Sequence, residues 1–469
     1  MQDRGEILLH RLRGIVGDAG VLSDTAEMAA YGTDWRDMFH GRPLCVVRPA
    51  TTDEVAQAVA ACATLGAGIV PQGGNTGLAG GATPDDSGTQ VIISLDRMNA
   101  IRRIDPIGMT VEVEAGAILQ TVKDAVADKN RLLPISLAAE GSAQIGGLIA
   151  TNAGGVDVLR YGMTRALVLG LEVVLPDGQI LRHLRHLRKD NAGYDLKQLF
   201  IGSEGSLGIV TAAVLRLVPQ VRHRATAMIA VPNISAAIRL YERAQTEMGE
   251  ALSAFELISG AGLDLVAEHM GRSAPIQGAD WCLLIEAGSS LSGLREACET
   301  LLETAFNEGW ATDGVLAESE AQADALWALR ESLTEAEAKA GGAIKHDISV
   351  PITAIDAFLR DAGDMLADIA PQARLNVFGH LGDGNLHYNV MNVTEGDAGR
   401  VNTGVHDVIT RHSGSISAEH GLGQYRVSEW ARLTDPVEQA LSRQLKDTLD
   451  VHGVMNPGKV VPTMREAHD

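Results

Sequence analysis

The sequence predicts an α+β protein with two domains, and three observations support this prediction. The chain has 469 residues, a length that suits two or three domains. Strand patterns alternate with amphipathic helical patterns, as where a strand pattern at 226–231 precedes a helical pattern at 236–248. Glycine-rich segments occupy the N-terminal half, and Pro219 followed by the basic stretch 222–224 marks a change of composition. We therefore place a domain boundary near residue 219.

Composition and charge limit the classes of function. Hydrophobic residues make up 45% of the chain and charged residues 21%, which is ordinary for a soluble globular enzyme. The formal net charge of −21 makes nucleic acid and anionic membranes poor partners. No apolar run approaches the ~20 residues of a membrane span, and the N-terminus lacks the pattern of a secretory signal. The four cysteines form no C-x-x-C pair and are expected as buried thiols of a cytoplasmic protein.

The first glycine-rich segment follows two strand patterns, at 44–48 and 69–71. The helix between them begins at the capping-box sequence 51–54 and is closed by Gly66. Five glycines then fall between residues 73 and 81, where their backbone N–H groups can form a nest for a pyrophosphate. A nicotinamide-binding Rossmann loop would open a helix, whereas another strand pattern follows here. A purely structural glycine turn remains the alternative.

Two further glycine-rich segments lie downstream, at 134–155 and at 200–210. Either segment alone would be weak evidence for a ligand. Three such segments in one half of the chain indicate backbone that wraps closely around a long ligand, because glycine lets the backbone approach it.

A candidate hairpin with two histidines lies in the second half of the chain. Residues 379–387 read GHLGDGNLH, and apolar strand-like residues flank this segment on both sides. The Asp-Gly step predicts a tight connection between antiparallel strands, which brings His380 and His387 together. Alternation along the second strand places Asn385, His387 and Asn389 on one face.

An adjacent acid and imidazole, Glu419 and His420, follow later in the chain. Two imidazoles and a carboxylate around an open fourth position are typical of a catalytic divalent metal site. Histidines that only pack in a core remain the alternative.

This set of motifs resembles the FAD-linked D-2-hydroxyacid dehydrogenases, which have the vanillyl-alcohol oxidase type of FAD-binding fold. The resemblance covers roughly residues 40–462. It implies an FAD-binding domain over 1–219 and a substrate (cap) domain over 220–424. It also implies a C-terminal segment, 425–469, that returns to the FAD domain, since the sequence at 456–459 matches there. Asn75 stands where some wider relatives attach flavin covalently to a histidine, so we expect FAD to be bound non-covalently.

The resemblance implies a set of FAD-binding residues spread over the three glycine-rich segments and the C-terminal segment. They are Pro71, Gln72, Gly73, Gly74, Asn75, Thr76, Gly77, Leu78, Pro134, Leu137, Gly141, Ser142, Gly146, Gly147, Asn152, Ala153, Gly154, Gly155, Glu204, Gly205, Gly208, Ile209 and Asn456.

The histidine motifs resemble the metal-dependent branch of the family that acts on D-2-hydroxyglutarate and D-lactate. By this resemblance, His380, His387 and Glu419 would bind Zn²⁺ (or Mn²⁺), and His420 would be the catalytic base. The polar residues expected to hydrogen-bond the substrate or the ligands are Asn385 and Asn389.

The resemblance also implies residues that hold the substrate's carboxylates. A helical pattern covers 327–334, in which Arg330 and Thr334 lie four residues apart and share a face. Lys345 follows in a strand pattern. Arg offers a carboxylate a bidentate fork, and Lys offers a point charge. Two cations and a metal suit a D-2-hydroxy dicarboxylate, such as D-2-hydroxyglutarate or D-malate, better than lactate.

Plainer interpretations of the two cations stay open. Arg330 can pair with Glu331 or Glu335 on a solvated helix surface, and Lys345 can pair with Asp347. The alternatives for the whole chain are a D-lactate or glycolate dehydrogenase, a non-catalytic flavin-binding subunit, and a generic zinc hydrolase. The resemblance implies electron-transfer flavoprotein or a quinone as electron acceptor, and a homodimer is a candidate assembly.

Overall fold

A computed structural model describes residues 2–462, with side chains from residue 4 onward. Helices cover 41% of the chain and strands 22%, so the predicted α+β class is confirmed. The chain forms two compact units. Unit one comprises Met1–Gly154, Met163–Pro219 and Glu419–Asp469, and unit two comprises Gly155–Gly162 and Gln220–Ala418. The functional domain limits at 219 and 424 stay a prediction, and the last seven residues of the segment 425–469 lie outside the described residues.

The strands, in chain order, are β1 Val21–Leu22, β2 Cys45–Val47, β3 Ile69–Gln72, β4 Val91–Ser94, β5 Ile101–Asp105, β6 Thr110–Glu114, β7 Arg131–Leu132, β8 Val168–Val174, β9 Ile180–His183, β10 Ile209–Arg216, β11 Val218–Pro219, β12 His223–Val231, β13 Leu252–Ser259, β14 Trp281–Ser289, β15 Asp313–Leu316, β16 Asp347–Ser349, β17 Arg374–His380 and β18 Asn385–Met391.

The helices are α1 Gln2–Val16, α2 Thr25–Met28, α3 Thr52–Leu65, α4 Leu119–Ala127, α5 Ile145–Thr151, α6 Val158–Tyr161, α7 Thr164–Leu167, α8 Lys197–Phe200, α9 Ile234–Met248, α10 Gly260–Met270, α11 Leu294–Asn307, α12 Glu320–Glu331, α13 Leu333–Lys339, α14 Ile355–Ile369, α15 Glu395–Arg411, α16 Val427–Leu433 and α17 Pro436–Leu449.

The first sheet of unit one has the strand order β1-β2-β4-β3, in which β2 and β3 both pair in parallel with β4. α3 connects β2 to β3 and buries Val55, Val59 and Cys62 in one core with Val91 and Ile93 of β4. The first glycine-rich loop therefore leaves the carboxyl end of a buried parallel strand, where open α/β sheets commonly bind ligands.

The second sheet of unit one is antiparallel, with the order β5-β6-β10-β8-β9. Val111, Val113, Leu171 and Val173 of this sheet form a core with residues of α4 and α5. The start of β10 carries the third glycine-rich segment, so this sheet supports that segment.

Unit two is built on an antiparallel sheet with the order β15-β12-β14-β13-β17-β18-β16. Residues of α10, α12 and α13 pack in one core with Phe378 of β17. Tyr388 of β18 packs instead against Phe358 of α14, with ring centroids 5.4 Å apart. Helices thus cover the β17–β18 hairpin. The hairpin lies between β13 and β16 in the sheet, so side chains of these two strands contact those of the hairpin.

Local signals in the sequence account for several elements. The Thr51 side chain accepts a hydrogen bond from Glu54 N at 3.2 Å, and the Glu54 carboxylate accepts one from Ala50 N at 2.7 Å. The Thr51 contact is the one that the capping-box sequence predicts, whereas the Glu54 carboxylate reaches one residue further back than the N-cap. Gly66 ends α3 in the left-handed conformation, with φ of 70°. The four cysteines are buried, as predicted.

The prediction of one continuous helix over 327–334 is wrong at Ser332. α12 ends at Glu331 and α13 begins at Leu333. The Ser332 hydroxyl donates to the Ala328 carbonyl at 2.6 Å and so shares that acceptor with its own backbone N–H, which loosens the helix. Arg330 and Thr334 therefore belong to different helices, and Thr334 is exposed.

Within residues 2–462, no helix combines the length and the hydropathy that crossing a bilayer requires. The cytoplasmic location and the homodimer stay predictions.

Candidate active site

The first glycine-rich loop begins at Gln72, whose buried side chain donates to two backbone carbonyls, each at 2.9 Å. A Cβ atom at Gly74 would lie 2.0 Å from the carbonyl oxygen of Ser142, so only glycine fits there. Asn75 has a left-handed φ of 52°, and its side chain donates to Thr33 O at 2.8 Å. The loop is therefore held in a fixed path against the second glycine-rich segment.

Open space borders these two segments. A Cβ atom at Gly77, Gly141 or Gly147 would meet no atom within 4 Å. A Cβ atom at Gly73 would lie 3.3 Å from Oε1 of Gln144. That oxygen is buried and lacks a hydrogen-bond partner among the described residues. Backbone exposed at glycines beside a buried acceptor suits a ligand with phosphates and hydroxyl groups.

The C-terminal segment ties the first and third glycine-rich segments together. Nδ2 of Asn456 donates to Gly81 O at 2.9 Å and to Glu204 O at 2.7 Å. The Glu204 carboxylate accepts hydrogen bonds from Leu422 N and Gly423 N, both at 2.8 Å. Burial raises the pKa of Glu204, although these two N–H groups act in the opposite direction.

Close packing at glycine recurs in the third segment. A Cβ atom at Gly205 would lie 2.9 Å from Cγ of Pro71, and one at Gly208 would lie 2.9 Å from the Val174 carbonyl oxygen. The other predicted FAD-binding residues occupy these places: Thr76 and Leu78 in the first loop, Pro134 and Leu137 before α5, Gly146 within α5, Asn152, Ala153 and Gly154 after it, Ile209 at the start of β10, and Gly155 in unit two.

The loops of unit one fit FAD on two observations. At Gly74, where the first two segments touch, only glycine fits. At Gly77, Gly141 and Gly147, a Cβ atom would point into open space. A buried carbonyl oxygen of Gln144 adds an acceptor for a hydroxyl group.

One face of the β17–β18 hairpin of unit two carries mainly asparagine and histidine side chains. Asn376 lies opposite Asn389, and Phe378 lies opposite His387. Because side chains alternate along a strand, every second residue of each strand shares this face. We call it the hairpin face, and its residues are Asn376, Phe378, His380, Asn385, His387 and Asn389.

Glu256 of the neighbouring strand β13 lies opposite His380 and is almost completely buried. Its Oε1 accepts a hydrogen bond from His380 Nδ1 at 2.5 Å, and its Oε2 accepts one from Arg330 Nε at 2.7 Å. The Arg330 guanidinium also lies 4.7 Å from the centre of the Phe378 ring. Burial alone would raise the pKa of Glu256, but the charges of His380 and Arg330 lower it to about 2. Arg330 therefore pairs with Glu256, and its suggested pairing with Glu331 or Glu335 is wrong.

Glu337 of α13 is a second buried carboxylate beside the hairpin face. Its Oε2 accepts hydrogen bonds from Nδ2 of Asn376 and Nδ2 of Asn389, both at 2.9 Å. Its Oε1 lies 3.3 Å from Nζ of Lys345. Lys345 thus forms its ion pair with Glu337, and its suggested pairing with Asp347 is wrong.

Asp347 of β16 borders the hairpin face from the other side. It lies opposite His387, with 4.0 Å between its Oδ1 and Nδ1 of His387. The same Oδ1 accepts a hydrogen bond from Nδ2 of Asn385 at 3.0 Å. The Asp347 carbonyl accepts a hydrogen bond from Ala418 N at 3.2 Å, and Glu419 is the next residue in the chain. The metal-binding role of Glu419 and the catalytic role of the following histidine stay predictions.

The metal prediction was tested on the donors of unit two. His380 and His387 lie on paired strands with their ring centroids 6.1 Å apart. The contact between Nδ1 of His380 and Glu256 is of the kind found in carboxylate–histidine–metal arrangements, in which the other ring nitrogen binds the metal. The donors present therefore fit a divalent metal such as Zn²⁺.

Sequence reasoning missed Glu256, Glu337 and Asn376. A signal for Glu256 was its place as an isolated acid in the buried run Leu252–Ser259. A signal for Glu337 was its spacing of four residues from the buried Leu333 on the same helix.

Comparisons with known proteins agree with this description. The FAD binding domain family matches residues 43–183, and the family of FAD linked oxidases, C-terminal domain, matches residues 220–460. The chain is 39% identical to the mitochondrial D-2-hydroxyglutarate dehydrogenase of Bos taurus, over 94% of this chain and 81% of that protein. It is 36% identical to the D-2-hydroxyglutarate dehydrogenase of Xanthomonas citri pv. viticola, over 94% of each chain. The crystal structure of p-cresol methylhydroxylase superposes with a TM-score of 0.76 at 16% identity, over 99% of this chain and 98% of that one.

These matches define an FAD-binding protein with the vanillyl-alcohol oxidase type of fold, as predicted. The chain belongs to the FAD-linked D-2-hydroxyacid dehydrogenase family and is an FAD-dependent oxidoreductase that acts on CH–OH donors. The predicted enzyme class is confirmed, so a non-catalytic flavin-binding subunit and a zinc hydrolase are no longer needed as alternatives.

Proposed function

We propose that the enzyme oxidises D-2-hydroxyglutarate, or a similar D-2-hydroxy dicarboxylate such as D-malate, to the 2-oxo acid. The observation that carries this proposal is the pair of cations beside the hairpin face. Arg330 and Lys345 are each held by a separate buried carboxylate. A monocarboxylate such as lactate would need one of these cations, whereas a dicarboxylate uses both.

The contacts of both cations with one strand support a diacid. Arg330 lies over Phe378, and Lys345 is linked through Glu337 to Asn376. Residues 376 and 378 are neighbours on the same face of β17, so both cations are linked to the same stretch of the hairpin face.

The proposed metal site consists of His380, His387 and Glu419, which offer the nitrogen and oxygen donors that Zn²⁺ prefers, although Mn²⁺ is also accepted by such donors. A divalent metal, when bound, lowers the pKa of a coordinated hydroxyl group and stabilises the charge that develops on its oxygen. Glu256 orients His380 by fixing Nδ1 as the donor, so the chain itself sets the tautomer.

The remaining polar residues bind the substrate and move its proton. Arg330 holds one carboxylate by its guanidinium fork and Lys345 holds the other, while Thr334, Asn385 and Asn389 are the proposed hydrogen-bonding partners. His420 removes the proton from the C2 hydroxyl.

The glycine-rich loop around Asn75 would hold FAD non-covalently, and its N5 would supply an acceptor for the hydride of the substrate's C2. The reducing equivalents then pass to an acceptor such as electron-transfer flavoprotein or a quinone.

A substrate panel with an artificial dye as electron acceptor tests this proposal. We expect kcat/KM for D-2-hydroxyglutarate to exceed kcat/KM for D-lactate and glycolate. Lys345→Met should lower kcat/KM for the diacid at least about tenfold and that for D-lactate much less, because it removes a contact that only the diacid makes. The exposed Lys339→Met on α13 is the matched control and should change neither value. Equal losses for both substrates, or a wild-type preference for D-lactate or glycolate, would contradict the assignment.

A further inference from the structure

Glu337 has no exposed surface and no predicted contact with a reacting atom, yet three polar side chains converge on it. Asn376 and Asn389, which lie opposite each other in the hairpin, both donate to Oε2. Lys345 alone among these three side chains carries a charge. A buried ionised carboxylate is costly unless a cation compensates it, so Glu337 constrains where the ammonium group lies.

Lys345 is fixed at its backbone as well. The preceding residue, Ile344, exchanges backbone hydrogen bonds with Val390 at 2.9 and 3.0 Å, which anchors this segment to β18. The Lys345 side chain keeps 31% of its surface exposed. Its contact with Oε1 of Glu337 is an ion pair without hydrogen-bond geometry, and the three N–H donors of an ammonium group can serve a second anion.

We propose that Glu337 is a positioning residue that makes the enzyme select dicarboxylic over monocarboxylic D-2-hydroxy acids. It holds the Lys345 ammonium group at its Oε1, and there the ammonium group receives the carboxylate remote from the reacting carbon. This inference rests on the proposed function, because it assigns Lys345 to that second carboxylate.

The test compares two substrates that differ in the second carboxylate, D-2-hydroxyglutarate and D-2-hydroxybutyrate. The measured quantity is the ratio of their kcat/KM values, with FAD content and thermal unfolding recorded for every variant. The variants are Glu337→Gln, Lys345→Met and the double variant, and Glu335→Gln, exposed on the same helix, is the matched control.

We expect Glu337→Gln to lower the ratio about tenfold through a higher KM for the diacid, because the ammonium group loses its fixed position while the shape of residue 337 is kept. Lys345→Met should lower the ratio at least as much, and the double variant should lower it no further, because both changes remove one interaction. Glu335→Gln should leave the ratio unchanged.

Stability supplies a second readout that needs no activity. Lys345→Met leaves Glu337 buried without its cation and should lower the Tm by about 4 °C or more. Adding Glu337→Gln should restore part of that loss even if the single Glu337→Gln variant folds poorly. A double variant no more stable than Lys345→Met would overturn the proposal.

Three kinetic outcomes would also overturn it: equal losses for both substrates in Glu337→Gln, a raised ratio in that variant, or a further drop of the ratio in the Lys345→Met background. An unchanged ratio in Lys345→Met would instead refute the dicarboxylate assignment, and the inference with it. A lowered ratio in Lys345→Met with an unchanged ratio in Glu337→Gln would refute the inference alone.

Discussion

Oε1 of Glu256 lies 2.5 Å from Nδ1 of His380. The other oxygen of this carboxylate lies 2.7 Å from Nε of Arg330. One buried group therefore orients both a proposed metal ligand and a proposed substrate-binding cation. Because both partners are cations or potential cations, the carboxylate stays ionised in the interior. In the proposed site, the β13–β17 pairing would thus help to align the metal with the substrate.

Glu256→Gln should weaken metal binding about 10- to 100-fold, because the amide no longer provides the charged acceptor that orients His380. FAD content should stay unchanged, since the predicted flavin loops belong mainly to unit one. Competition with a coloured zinc chelator measures the affinity. Glu268→Gln, an exposed acid on α10, serves as control. An unaltered zinc affinity in Glu256→Gln would show that His380 does not bind metal through the proposed arrangement.

Two glycines of the first loop should respond differently to alanine. Gly74→Ala should lower the Tm of both the FAD-free and the FAD-bound protein, because the new Cβ atom overlaps the Ser142 carbonyl oxygen. Gly77→Ala meets no protein atom and should leave the FAD-free Tm unchanged, but it should weaken FAD binding. Fluorescence titration of the apoprotein with FAD and thermal unfolding measure both effects. Normal FAD affinity in Gly77→Ala would mean that the open space beside it is not flavin space.

His420→Ala should slow flavin reduction by D-2-hydroxyglutarate about 10²-fold or more, because it removes the proposed base. The variant should still contain FAD and metal, which visible absorbance and metal analysis report. Anaerobic stopped-flow measurement of flavin reduction is the direct readout. A rate equal to that of the wild type would exclude His420 as the base.

Lys459 gives stability a pH dependence of known sign. Burial lowers the pKa of its ammonium group from 10.5 to about 8, against the opposing influence of Asp85. Between about pH 8 and 10.5 the unfolded chain binds more protons than the folded chain, so this group makes stability rise with pH. Below pH 8 both states are protonated and the full cost of the buried charge is present.

The comparison for Lys459 is with Lys459→Met, which lacks the titrating group. Urea titrations give the free energy of unfolding of the wild type and of this variant. The difference, wild type minus variant, should increase between pH 8 and 10. The same difference measured with the control Lys339→Met should not change over this range. A difference that does not depend on pH would contradict the shifted pKa.

The end of α3 and the hairpin were predictable because their causes are local. Gly66 follows a capped amphipathic helix, and the Asp-Gly step separates two alternating strands, so each signal lies within a few residues of its effect. Alternation alone placed Asn385, His387 and Asn389 on one face.

The partner of Arg330 and the contact between Glu337 and Asn389 were not predictable by such local reasoning. Arg330 was compared with its neighbours on the helix, whereas its partner Glu256 lies 74 residues away in the sequence. Glu337 meets Asn389 across 52 residues. These contacts depend on the order of the strands in the sheet of unit two. The spacing of residues within a single helix or strand carries no information about that strand order.

The central claim is that this flavoenzyme oxidises a D-2-hydroxy dicarboxylate, and an anaerobic visible spectrum tests it most directly. The purified protein is recorded before and after addition of D-2-hydroxyglutarate, of its L-isomer and of D-lactate. We predict that the flavin bands bleach with D-2-hydroxyglutarate and persist with the L-isomer. Bands that persist with D-2-hydroxyglutarate and bleach with D-lactate would contradict the claim.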